Sequence, residues 1–302
     1  MNGTTRGIFK QNDLMNPGHL GCPGCGATIA MKFALQALGE KTMVVIPACC
    51  WGVIAGPYPQ SALNVPILQT AFATAGAAAS GLRAALDMRG DTETTVLSWA
   101  GDGGTFDIGL QSLSGAADRN EDIIYVCMDN EGYMNTGVQR SSATPYGAST
   151  STTPAGSKSI GKTTASKNMP MIMSMHDIPY VATATMSHLE DYAKKLVKAK
   201  EKVKEGFVYL HVFCPCTTGW KVPQDASIQV CRAAVQTNYF PLWEVENGTY
   251  RITQSVSKPK PINEMLKLIG KFKHLGEEDI AVLQQQSDKR FSVLKALCDM
   301  NA

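Results

Sequence analysis

The chain has no apolar run of 18 residues, so the sequence offers no membrane-spanning helix. Its longest small-residue stretch, from Ala71 to Ala85, is interrupted by Thr74, Ser80 and Arg83 and reads as a packed helix. Residues 1–20 lack an apolar segment of the kind a secretory leader needs, which points to the cytoplasm. Charge is scarce too: 18% of residues are charged, with a net charge of +2, and neither a nucleic-acid partner nor an acidic surface is expected. Aromatics make up 7%, while alanine, glycine and methionine are plentiful, a composition suited to close helix packing. A hydrophobic content of 44% over 302 residues describes a globular chain with ample core. What is present in unusual number is cysteine: nine, without a secretion signal, argue for thiolate ligands or free thiols rather than disulfides.

The segment from Thr94 to Gly137 organises the rest. Thr95 to Ala100 is a short apolar run ending at Gly101-Asp102-Gly103-Gly104, which reads as a buried strand meeting a tight turn. A helix is expected over Phe106–Ala117, then a second strand over Ile123–Met128, ending at Asp129-Asn130-Glu131-Gly132. Strand, helix and strand make a right-handed crossover, so Asp102 and Asn130 fall at the carboxyl ends of parallel strands, where open α/β sheets bind ligands. A carboxylate, an amide oxygen and the Gly132 carbonyl are hard donors, suited to a Mg²⁺ shared with a phosphorylated ligand. Gly103 and Gly104 let a diphosphate approach the backbone at a helix start. Asn130, 28 residues after Asp102, gives a spacing that resembles the thiamine diphosphate signature.

Around this unit, residues 1–17 read as an extended arm. A helix is expected over Ala27–Gly39, strands over Met43–Ile46 and Ile67–Thr70, and a loop over Val53–Val65. The polar run from Asn135 to Lys167 suggests a loop that covers a cofactor. Strands follow at Tyr180–Ala184 and Phe207–Phe213, with a Lys-rich helix at Leu189–Lys204 between them. Beyond Pro259, helices are expected over Asn263–His274 and Glu277–Asp299, docking either on another subunit or back on the parent domain.

Cys22 and Cys25 form a C-x₂-C turn, and Cys50 and Cys216 each follow a strand, on the same sheet edge as Asp102. Four such thiolates mean a [4Fe–4S] cluster or a structural Zn²⁺; spacing does not choose, but a redox centre beside thiamine diphosphate has an evident role. Cys49 and Cys214 are neighbours that resemble ligands. Gly156 to Thr163 matches the Walker A pattern, but no hydrophobic strand precedes it, so a P-loop is not expected. His19 could contact a phosphate, cluster or substrate, or simply cap its own loop; Arg140 could pair with an anion.

Together these motifs resemble the β subunit of 2-oxoacid:ferredoxin oxidoreductases of the pyruvate type. The resemblance runs from Gly18-His19 through Cys25-Gly26, Gly101-Asp102-Gly103 and Met128 to Gly137. It continues through Ala143 to Ala148, Pro179 to Ala182, Pro215 to Trp220 and Pro241 to Glu244. It implies an α/β thiamine diphosphate-binding fold over residues 1–258, a mostly parallel sheet flanked by helices, and a C-terminal helical extension over 259–302. It implies thiamine diphosphate bound through Gly101, Asp102, Gly103, Gly104, Asn130, Gly132, Asn135 and Thr136, with Mg²⁺ on Asp102, Asn130 and the Gly132 carbonyl. Asn135 would lie at the reacting carbon, and a [4Fe–4S] cluster would sit on Cys22, Cys25, Cys50 and Cys216. The implied partners are an α subunit bearing the pyrimidine-binding domain and its activating Glu, subunits with ferredoxin-like clusters, and external ferredoxin. The segment Ala48 to Gly56 looks most like oxalate oxidoreductase, making oxalate, cleaved to CO₂ without coenzyme A, the expected substrate, with pyruvate as the alternative; Val53 is a candidate wall for a methyl-bearing substrate. A non-redox thiamine enzyme subunit with structural zinc is the other reading.

Overall fold

The central apolar runs become strands because each is covered on both faces. A computed structural model describes residues 13–300. Its strands are β1 (Thr42–Pro47), β2 (Ile67–Thr70), β3 (Thr95–Gly101), β4 (Ile124–Asp129), β5 (Ala155–Gly156), β6 (Ser159–Ile160), β7 (Tyr180–Thr185), β8 (Val208–Phe213), β9 (Leu242–Glu246) and β10 (Thr249–Gln254). Eight of them form one sheet in the order β10-β9-β7-β8-β4-β3-β1-β2, and β5 pairs with β6 in a separate ribbon. From β7 to β2 every pairing is parallel; β9 and β10 are added antiparallel at the edge.

Alternate residues of the central strands serve opposite faces. Leu97, Trp99, Val126 and Leu210 pack with Ala34, Leu35, Tyr192 and Leu196, from the helices Gly26–Leu38 and Leu189–Lys202. Val96, Ala100, Tyr125 and Tyr209 pack with Ala79, Leu113 and Ala116, from the helices Ala75–Met88 and Leu110–Asp118. Each fully buried Val or Leu contributes about 1.5–3 kcal/mol, so two such layers hold the sheet without a metal staple. None of the helices in the described residues is long and apolar enough to cross a membrane.

Several expectations are corrected. The helix predicted over Phe106–Ala117 is split into a wide π-type turn, Gly104–Ile108, and the helix Leu110–Asp118. Within the wide turn the Thr105 hydroxyl donates to the Gly101 carbonyl at 2.8 Å, and Asp107 is left to accept from Ser142 N at 2.9 Å. The loop expected from Val53 begins instead with a helical turn, Cys50–Ile54. Asn263–His274 is not one helix: Asn263–Leu266 is α-helical, Gly270–Phe272 is a 3₁₀ turn, and Gly270 lies so close to Lys221 that a Cβ there would sit 2.6 Å from the lysine's. Of the arm expected over 1–17, residues 1–12 lie outside the described residues, while Leu14 and Met15 are buried and Met15 bridges to Leu63.

The C-terminal segment folds back on the parent chain. Ile262, Met265, Ile269, Phe272 and Leu283 share a core with Phe213, Trp220 and Val230. The long helix Glu277–Asp299 has the bounds the sequence predicts.

At the antiparallel edge, Glu244 of β9 accepts from Tyr180 Oη of β7 at 2.6 Å and from Lys198 at 3.0 Å, and it pairs with Arg251 of β10. Burial pushes its pKa up, but those three donors outweigh burial and hold the carboxyl at about 2. A depressed folded-state pKa contributes stability above the unfolded value, 4.5, and that contribution disappears as pH falls toward the folded one. By chemical denaturation, the advantage of the wild type over Glu244→Gln should be full above about pH 5 and shrink toward about pH 3. An advantage that does not change with pH would contradict this.

Candidate cofactor and cluster site

Parallel β1, β3, β4 and β8 finish at one sheet edge, at Pro47, Gly101, Asp129 and Phe213. The loops that follow carry the chemistry. A cavity of about 350 Å³ opens there, lined by Pro47, Phe72, Gly103, Gly104, Asn130, Tyr133, Asn135 and Thr136 among others. Asp102, Gly101 and Gly132 line it as well.

The three predicted oxygen donors converge. The amide oxygen of Asn130 lies 2.8 Å from the Gly132 carbonyl oxygen and 2.9 Å from Asp102 Oδ1. Three acceptors thus face one another with no proton between them; turning the amide over would replace this with two hydrogen bonds. Neighbouring ligands of an octahedral Mg²⁺ lie about 2.9 Å apart, so the oxygen-inward arrangement is the one a cation fits. Burial, and after it the Asp129 carboxylate, push Asp102 well above the usual carboxylate range, opposed by the Ser141 hydroxyl donating to its other oxygen. A divalent cation at this point would favour the charged form instead.

The backbone around these donors is packed tightly. Gly103 has no room for a side chain, since a Cβ would meet the Tyr133 ring at 2.4 Å. Tyr133 Oη in turn donates to the Gly103 carbonyl and to Asp107, each at 3.2 Å. Glu131, between Asn130 and Gly132, adopts φ 61°, a conformation that costs a side-chain-bearing residue about 1–2 kcal/mol. Its surroundings hold it there: the amide of Glu131 donates to Asp129 Oδ1 at 2.8 Å, and its carbonyl accepts from Thr144 Oγ1 at 2.8 Å. Asp129 is fixed by His211 Nε2 at 2.9 Å, and Trp220 Nε1 donates to the Asn130 carbonyl at 2.7 Å. None of Ser141, Tyr133, Glu131, Trp220 or His211 was singled out by sequence as part of this site: Ser141, His211 and Trp220 are far from it in the chain, and Glu131 and Tyr133, though adjacent, act through partners that are distant in sequence.

The cysteines occupy a second cavity of about 190 Å³, lined by Cys22, Cys25, Cys50 and Cys216. Cys50, Val53, Asn130, Met134 and Asn135 line both cavities, so the two share a wall. Cys22 is exposed and the other three are half-buried; Cys214 borders the same cavity but is buried in the core with Leu35 and Val212. Gly219 N donates to Cys216 Sγ at 3.2 Å. The loops meet closely: a Cβ on Gly26 would lie 2.9 Å from Pro215 N. Burial, reinforced by Cys49, Cys216, Cys25 and Asp102 nearby, pushes the Cys50 thiol up to about 12. Burial pushes Cys25 and Cys216 up as well, and a positively charged metal centre would favour the thiolate form of these three. Among the described residues no three His, Cys, Asp or Glu side chains are grouped as a single metal ion requires.

The remaining candidates separate. Trp51 is fully buried and donates from Nε1 to the Ala27 carbonyl at 3.2 Å. His19 Nδ1 accepts from Gly21 N at 3.2 Å, a cap on its own loop. Arg140 is exposed and does not line the cofactor cavity. In the Walker-like run, Lys162 is buried, its Nζ donating to the carbonyls of Thr144, Thr164 and Ala165, and is taken up by structure.

Residues 50–212 match the family described as "Thiamine pyrophosphate enzyme, C-terminal TPP binding domain". The ketoisovalerate oxidoreductase subunit VorB of Pyrococcus horikoshii is 49% identical over 290 residues, covering 94% of this chain and 93% of that one. The pyruvate synthase subunit PorB of Methanothermobacter marburgensis is 48% identical over 280 residues, 93% of this chain and 96% of its own. The β subunit of NADH-dependent phenylglyoxylate dehydrogenase of Aromatoleum evansii is 41% identical over 292 residues, which is 94% of this chain and 65% of that one. Among solved structures, 2-oxoglutarate:ferredoxin oxidoreductase from Magnetococcus marinus matches with a TM-score of 0.57 at 25% identity, covering 76% of this chain and 81% of its own.

Proposed function

The chain belongs to the β subunits of the 2-oxoacid:ferredoxin oxidoreductases, and from that premise we propose how its own residues divide the work. Asp102, Asn130 and the Gly132 carbonyl hold Mg²⁺, the amides of Gly103 and Gly104 receive the diphosphate, and Asn135 and Thr136 face the reacting end of the cofactor. Cys22, Cys25, Cys50 and Cys216 hold a [4Fe–4S] cluster. The observation that carries this reading is the shared wall: three converging oxygens on one side, four cysteines on the other, with Asn130 and Asn135 between. Bound there, thiamine diphosphate supplies the chemistry that removes CO₂ from a 2-oxoacid, and the cluster supplies a one-electron outlet toward ferredoxin. The protein's part is to fix the cation, exclude water and hold the two centres side by side.

No Glu lines the cofactor cavity among the described residues. The carboxylate that protonates the aminopyrimidine therefore comes from a partner, an α subunit with a pyrimidine-binding domain. The purified β subunit, loaded with cofactor and iron, should show no decarboxylation of any 2-oxoacid and should gain it when the other subunits are added; turnover by the β subunit alone would overturn this arrangement.

For the substrate, the wall beside the shared residues favours a hydrocarbon. Ile46, Val53, Phe72 and Met134 line the cofactor cavity, and no Lys, Arg or His does so among the described residues. A 2-oxoacid with a small apolar side chain, such as pyruvate or 2-ketoisovalerate, fits without burying an unpaired charge. Oxalate, the expectation from the Ala48–Gly56 segment, would need a cation from the partner for its second carboxylate. Assays of the whole complex with methyl viologen separate the two. The hydrocarbon reading expects pyruvate or 2-ketoisovalerate to be oxidised with coenzyme A required; reduction by oxalate alone, without coenzyme A, would establish the other.

A further inference from the structure

Glu131 stands between two of the cation's proposed ligands, and its carboxylate is turned away from the cofactor cavity. One carboxylate oxygen pairs with Lys271 Nζ and the other accepts from Tyr239 Oη. The Lys271 and Glu131 side chains are 3% and 5% exposed. Lys271 Nζ also lies 3.9 Å from the centre of the Trp220 ring, whose Nε1 holds the Asn130 carbonyl. A single ammonium thus supports both residues of the Asn130–Glu131 pair, through an ion pair to one and a cation–π contact to the other's partner. It reaches them from the 3₁₀ turn Gly270–Phe272, in the segment that the sequence presents as a mere helical extension.

We infer that Lys271 is a positioning residue for the cation and diphosphate, fixing the Asn130–Gly132 turn from beneath so that the three oxygens converge. The inference rests on the reading of that turn as the Mg²⁺ and thiamine diphosphate site. The physical argument is about what remains when the ammonium is removed. A buried carboxylate without its cation is strongly destabilising, whereas removal of both charges is often tolerated. Glu131 can escape burial by leaving its left-handed conformation, which only its surroundings maintain. That rotation swings the Asn130 amide and the Gly132 carbonyl, its immediate neighbours, out of convergence. Cys22, Cys25 and Cys50 lie on other loops, and Cys216, which caps the short helix ending at Trp220, is held separately by the Gly219 amide, so the cysteines should keep their iron.

The test uses the whole complex, stripped of cofactor, titrated with thiamine diphosphate at saturating Mg²⁺ and followed by calorimetry, with iron per complex counted in parallel. Lys271→Met, similar in length but uncharged, should weaken cofactor binding by roughly tenfold or more, as loss of a residue supporting a metal ligand does, and leave iron content unchanged. The double variant Lys271→Met/Glu131→Gln removes the stranded charge and should return binding to within about threefold of wild type, a coupling expected of contacting groups. Wild-type affinity in Lys271→Met would overturn the inference. So would loss of cofactor and iron together without rescue in the double variant, which would mark a general packing role. If the wild-type complex itself bound no thiamine diphosphate, the reading of the site would fall rather than the role of Lys271.

Discussion

Asp102→Ala is expected to abolish thiamine diphosphate binding and turnover while leaving iron content at the wild-type level. Asp102 is the sole carboxylate of the converging oxygen set, 1% exposed and held from behind by Ser141. Without it, Asn130 and Gly132 offer only neutral oxygens to a divalent cation, and the amide is free to turn over and donate to the carbonyl. The loss should exceed the roughly 10–100-fold that removing a partner behind a metal ligand costs, which is the effect expected for Ser141→Ala. Cofactor affinity and iron, measured on the same preparation, decide the matter. Retained affinity in Asp102→Ala would show that the cation is held elsewhere, and iron lost along with cofactor would show that the two centres do not stand on independent loops.

The second large effect separates two cysteines only two positions apart. Cys216→Ser should lose the cluster and all electron transfer to ferredoxin, whereas Cys214→Ser should keep both. Both border the cavity shared with Cys22, Cys25 and Cys50, but Cys216 is half-buried there, whereas Cys214 is 1% exposed and packed among the apolar core residues. A hydroxyl at position 214 has no partner there, so that variant should be less stable by about 1–3 kcal/mol yet remain coloured. Iron lost from Cys214→Ser and kept in Cys216→Ser would reverse the assignment. Cys49 is set apart in another way: it is the neighbour of Cys50, yet it lines the cofactor cavity and not the cluster cavity.

What the sequence made legible was local chemistry at strand ends. Glycines after β3 and the Asp-Asn pair across one crossover announced the site because each depends on residues close in the chain. The central strands were legible for the same reason: buried on both faces, they read as continuous apolar runs. Elements whose cause lies far away were not. The hairpin of β9 and β10 turns at Asn247-Gly248, with φ 47° and 80°, a dipeptide that signals such a turn, but β10 beside it is exposed or half-buried throughout and too polar to stand out as an apolar run. The wide turn at Gly104–Ile108 keeps a helical pattern of apolar residues while its geometry answers to Gly101 and Ser142. Lys271 carried no signal at all, because its partner Glu131 is 140 residues away and a lone lysine in a C-terminal segment looks like solvated surface. The sequence also left the C-terminal segment's docking open; the core it forms with Phe213 and Trp220 shows that it packs on its own chain.

The proposed function requires two centres on this one chain that exchange electrons across a shared wall. The most direct measurement mixes the anaerobic whole complex with a 2-oxoacid and coenzyme A and follows the iron–thiolate absorbance in a single turnover. In the wild type the absorbance should bleach on addition of substrate; in Asp102→Ala it should not, although dithionite bleaches both. A colourless complex holding zinc, or bleaching by substrate that survives Asp102→Ala, would contradict it.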